Sequence, residues 1–71
     1  MKLYLVNMMI DDNIKDTYNI VAKDNKSVHK RLDKFMKDCQ NCGLEEYAYN
    51  NYSFTSVDIV DGYNIVLNKT E

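Results

Sequence analysis

The first 22 residues alternate between apolar and polar positions. Tyr4, Val6, Met8 and Ile10 are apolar at every second place, and after the polar triplet Asp11-Asp12-Asn13 the pattern resumes with Ile14, Tyr18, Ile20 and Ala22. A period of two marks strands with one face against a core, and two such runs around a polar turn predict a β-hairpin. A three-residue loop over Asp11-Asp12-Asn13 pairs Ile10 with Ile14, Val6 with Tyr18 and Tyr4 with Ile20, so the even-numbered apolar side chains share a face. A two-residue loop is expected to scramble that register. The first strand also carries Leu3, Leu5 and Met9 at odd positions, where the second has Lys15, Thr17, Asn19 and Lys23, with only Val21 apolar. A strand that is apolar on both faces belongs in the middle of its sheet.

From Ser27 the period changes. Val28, Leu32, Phe35, Met36 and Cys39 form one stripe of an amphipathic helix, predicted over 27–41. Ser27 or Asn25 is suited to cap its start, and Gly43 suits the left-handed residue just past its end. Residues 44–52 fit no period and read as a loop or irregular arm. Phe54–Val60 and Tyr63–Asn68 are β-rich runs around Asp61-Gly62, a two-residue hairpin signal. The order is β-β-α-β-β. With a right-handed crossover through the helix, the third strand lies beside the first. The predicted fold is α+β: a four-stranded antiparallel sheet in the order 2-1-3-4 with the helix on one face. The opposite face, around Leu3, Leu5 and Val21, is left open, and a homodimer or a docked partner is expected to cover it.

The 71 residues leave room for a single domain, 1–71, and 45% hydrophobic with 28% charged residues is an ordinary globular composition. The longest apolar runs, Leu3–Val6 and Met8–Ile10, fall far short of a membrane span, and Asp11-Asp12 interrupts the start before a secretory core forms. A cytoplasmic protein with reduced thiols is therefore expected. The net charge of −2 hides an asymmetry: residues 23–37 hold six bases and two acids, residues 44–71 five acids and one base.

Candidate chemistry is sparse. Cys39-Gln40-Asn41-Cys42 is a C-x-x-C pair, but it sits at the helix C-terminus, where the dipole disfavours a thiolate, and redox sites use the other end. A zinc site lacks a second pair of ligands, and His29 is about 15 Å from Cys39 along a helix. Core packing for Cys39 and a helix-end thiol for Cys42 is the simpler reading. His29 has no nucleophile beside it and reads as a solvated surface residue. Asp11, Asp12 and Asp16 read as turn residues without the spacing of a calcium loop. No catalytic residue, metal or cofactor is expected.

Two surfaces remain. Lys26, Lys30, Arg31, Lys34 and Lys37 form a basic helix face suited to phosphate contacts in a nucleic-acid-binding module, or simply a solvated face with Asp33 and Lys37 paired one turn apart. Glu45, Glu46, Tyr47, Tyr49 and Tyr52 make an aromatic and acidic arm of the composition found at protein interfaces, although core packing also explains one or two of its tyrosines. Acidic groups beside them are also able to mimic phosphates and occupy a partner's nucleic-acid groove.

Taken together, Lys2-Leu3-Tyr4-Leu5-Val6, then Tyr18-Asn19-Ile20-Val21-Ala22 entering a basic helix, then Val57-Asp58-Ile59-Val60-Asp61-Gly62-Tyr63-Asn64-Ile65-Val66-Leu67, resemble the small β-β-α-β-β proteins of phages and mobile elements from AT-rich bacteria. The likeness covers nearly the whole chain. It implies a small non-enzymatic accessory protein that acts by binding a protein partner, with inhibitors of host defence, anti-CRISPR proteins among them, as one known outcome. That group shares no site motif, so the resemblance assigns no residue a role.

Overall fold

The alternating start of the chain forms β1 (Lys2–Ile10) and β2 (Asn13–Ala22) in the computed structural model, which describes residues 1–68. Lys69 and Glu71, counted above in the acidic end, lie outside the described residues. The turn between the strands is a correction to the expected loop. Asp11 (φ 50) and Asp12 (φ 65) both adopt left-handed backbone, giving a two-residue turn with Ile10 opposite Asn13 and Met9 opposite Ile14. A register shift between Met8 and Met9 then leaves Lys15 as an extra residue on β2, after which Val6 faces Tyr18 and Tyr4 faces Ile20 as expected. Turn and bulge together do what a three-residue loop was expected to do. The exception is Ile14, which moves to the face of Met9 and is 59% exposed.

β3 (Asn51–Ser56) pairs antiparallel with the other edge of β1, so the sheet order is β2-β1-β3 and β1 is central, as its two-sided apolarity required. Its start is earlier than the Phe54 read from sequence, because Tyr52 and Phe54 point to the core side while Asn51, Ser53 and Thr55 alternate outward.

The helix α1 (Asn25–Asn41) packs on the face holding Tyr4, Val6 and Met8, all fully buried. Its stripe contributes Val28 and Leu32 to the core, with Phe35, Met36 and Cys39 packed at the margin. The N-cap is Asp24 rather than Ser27 or Asn25: its Oδ1 accepts the Ser27 N–H at 2.8 Å, which holds this carboxyl below the usual range. Cys42 caps the other end, and Gly43 follows at φ +78, a conformation that strains any side chain. The expected Asp33–Lys37 pair is replaced by Lys34 with Asp38, 3.9 Å apart, because Asp33 is engaged elsewhere.

The expected four-stranded sheet is corrected to a three-stranded sheet plus a separate hairpin. Val57 still donates to the Leu3 carbonyl at 2.9 Å, but β3 ends at Ser56, and Val57 and Asp58 belong to no strand. Asp61 (φ 52) and Gly62 (φ 81) reverse it, as the Asp-Gly pair predicted, between β4 (Ile59–Val60) and β5 (Tyr63–Asn64). The strand after the turn pairs with β4, and the Ile65 N–H donates to the Asp58 carbonyl at 2.9 Å, so it folds back on the segment beyond β3 rather than on β3 itself. Among the described residues, no helix is long and apolar enough to cross a membrane.

Candidate protein-binding surfaces

Residues 44–50 form a turn that is tied down at its Tyr49-Asn50 end. Leu44 leads into a single turn of 3-10 helix, Glu45–Tyr47, closed by Tyr47 N–H to the Leu44 carbonyl (3.1 Å) and Ala48 N–H to that of Glu45 (3.2 Å). Tyr49 is then driven fully into the core beside Phe35, their ring centroids 6.1 Å apart. Its hydroxyl donates to a carboxylate oxygen of Asp16, and its carbonyl accepts from Gln40 Nε2 at 2.7 Å. Burial first, and the bond to Asp16 second, push the phenol far above the ordinary tyrosine range. Asn50 completes the anchorage by binding the β1–β2 turn: its N–H donates to the Met9 carbonyl, its Oδ1 accepts the Asp11 N–H, and its Nδ2 donates to Asp11 Oδ1.

The five arm residues are therefore separated by the fold. Glu45, Glu46 and Tyr47 project into solvent, together with Leu44, which is 52% exposed. They border an open groove of about 960 Å³ whose other wall includes Ile10, Lys15 and Asp16. Tyr49 is a core residue. Tyr52 is half-buried on β3, where its hydroxyl donates to Asp33 Oδ1 at 2.7 Å and lies 2.8 Å from His29 Nδ1. With the only hydroxyl proton directed at Asp33, Nδ1 is the donor in the second bond. Burial, followed by the bond to Asp33, pushes the Tyr52 phenol up to about 12. His29 is thus a fixed surface residue, its ring edge-on to Phe54 at 4.9 Å. Sequence reasoning missed this trio, although His29 and Asp33 stand one helical turn apart and flank one side of the stripe.

The open sheet face presents Leu3 and Leu5, half-buried, and Val21, exposed. A polar row interrupts it: Thr17 Oγ1 donates to Asn7 Oδ1 at 3.0 Å, and Asn7 Nδ2 donates to Ser53 Oγ at 3.4 Å, one residue from each strand. The face is less apolar than the β1 sequence alone suggests.

Lys26, Lys30, Arg31, Lys34 and Lys37 are all exposed on α1. Arg31 and Lys34 lean toward β2, where Arg31 Nη1 reaches the Val21 carbonyl at 3.4 Å. They rim a second groove of about 470 Å³ floored by Tyr18, Ile20, Leu32 and Phe35, a feature that linear reading did not reveal. Cys39 is half-buried among the core residues, and burial pushes its thiol up, away from the reactive thiolate; Cys42 is exposed. No family model, curated protein or solved structure matches the chain.

Proposed function

We propose that this chain is a non-enzymatic, cytoplasmic protein-binding module whose contact surface is centred on Leu44, Glu45, Glu46 and Tyr47. One observation carries this reading: two exposed apolar side chains flank two carboxylates on a turn whose neighbours Tyr49 and Asn50 are fixed to the core and to the β1–β2 turn. A turn already held in shape has little left to order on binding, which removes part of the entropic cost of association. Tyr47 offers large, stiff contact area with a hydroxyl, and the carboxylates favour a partner with a basic surface. The resemblance to phage and mobile-element proteins supports an accessory role, such as inhibition of a host protein.

The second reading, a nucleic-acid-binding module, is favoured by the exposed bases of α1, two of which, Arg31 and Lys34, also line the groove beside β2. The deciding experiment is affinity capture of the tagged protein from host lysate with and without nuclease. A stoichiometric protein that survives nuclease, and is lost from the Tyr47→Ala variant, supports the binding module. Retention of nucleic acid, with proteins lost after nuclease, moves the functional surface to the helix.

A further inference from the structure

β2 is a ten-residue strand at the edge of the sheet, and the direction of its free backbone groups follows from its neighbour. The Leu3 carbonyl accepts from Val57 on the β3 side, so Leu3 and Val21 form a non-hydrogen-bonded pair across β1 and β2. By the same alternation, Thr17, Asn19 and Val21 direct their N–H and C=O groups away from the sheet. The Val21 carbonyl shows this directly, since it meets Arg31 from outside. No proline interrupts this edge, and its bulge and Lys15 protect only the end near the turn. A strand laid against Thr17–Val21 has alternate side chains entering the groove beside β2. The floor of that groove is apolar (Tyr18, Ile20, Phe35), and its rim holds the cations Arg31 and Lys34.

We infer that the outer edge of β2 is a docking site for an extended acidic peptide segment, which adds as a further strand and sets a carboxylate between Arg31 and Lys34. Backbone pairing supplies affinity in this mode, and the groove supplies selectivity: an apolar side chain on Phe35 and Tyr18, an acidic one at the rim. Charge complementarity selects the occupant, because a basic segment meets Arg31 and Lys34 as like charges. Asp38 also lines the groove, 3.9 Å from Lys34, and disfavours a second carboxylate beside it. This site is separate from the Leu44–Tyr47 turn and does not depend on it.

The test is an NMR titration of the full-length ¹⁵N-labelled chain with a labelled peptide of alternating Thr and Glu bearing one central Leu, its Lys counterpart, and a single-stranded oligonucleotide. The expected result is saturable binding of the acidic peptide alone, with amide shifts and slowed exchange at Thr17, Asn19 and Val21. Affinity should fall at least about tenfold in R31E/K34E. Asn19→Pro, which removes an outward N–H that β1 does not use, should abolish the slowed exchange. Shifts confined to other surfaces, or equal binding of the Lys peptide, overturn the inference. Saturable oligonucleotide binding at Arg31 and Lys34 without peptide binding overturns it in favour of a nucleic-acid surface.

Discussion

The hydroxyl of Tyr49, at the base of the Leu44–Tyr47 turn, donates to the carboxylate of Asp16 on β2, 33 positions away in sequence. This bond joins the segment after the helix to the edge strand, and the buried ring fixes where the exposed turn begins. Packing and display are thus properties of the same segment. The Tyr49→Phe variant keeps the ring and leaves Asp16 without its partner. It should lose about 1–3 kcal/mol of stability in denaturant unfolding. Tyr49→Ala, which also opens a cavity, should lose about 3–5 kcal/mol, a large share of what a domain of this size possesses.

Stability should fall at alkaline pH. The Tyr52 phenol is raised to about 12 and that of Tyr49 further, both mainly by burial, from an ordinary value of 10.0. The folded state therefore holds these protons more tightly than the unfolded chain. Their contribution is complete below pH 10 and declines as pH rises through the folded values, at about 1.4 kcal/mol per pH unit for each tyrosine. Thermal melts at pH 9 and pH 11.5 should show a clear loss in the wild type and a smaller one in Tyr52→Phe.

At the acid end the cap of α1 acts in the opposite direction. The Asp24 carboxyl is lowered chiefly by the Ser27 N–H, so its contribution is present above the ordinary aspartate value of 3.8 and is lost as pH falls through its folded value. Asp24→Asn retains an acceptor for the cap and should flatten the dependence of melting temperature on pH below 4. Asp24→Ala should lower the melting temperature at neutral pH as well.

The β1–β2 turn offers a stabilising change. Asp12 sits at φ +65 in the second place of a two-residue turn, a position that favours glycine. Asp12→Gly should raise stability by about 0.5–1 kcal/mol, read from the denaturation midpoint, while Asp11, which binds Asn50, is left intact.

These sites also show where sequence was informative. Period two in β1 and the stripe Val28, Leu32, Phe35, Met36 and Cys39 were sufficient for the hairpin, the helix and the central place of β1, because each reports burial of one face. The Asp11-Asp12 turn is not legible in the sequence, since two Asp residues do not advertise left-handed backbone as Gly does, and the compensating bulge at Lys15 has no side-chain signature. The fourth strand was misplaced because the run Phe54–Val60 is continuous in β propensity. The break at Val57-Asp58 is a matter of backbone pairing. At the candidate surface, acidic and aromatic composition marked the segment but not its division: Tyr49 and Tyr52 are chemically identical to Tyr47, and only Phe35, Asp16 and Asp33 around them decide which tyrosines are enclosed.

The most direct test of the protein-binding account is calorimetric titration of the captured partner with the wild type, E45K/E46K and R31E/K34E, each first shown to melt at the wild-type temperature. The account predicts that E45K/E46K weakens binding at least about tenfold while the Tyr49-anchored fold is unchanged. Wild-type affinity in E45K/E46K would contradict it and remove the Leu44–Tyr47 turn from the interface.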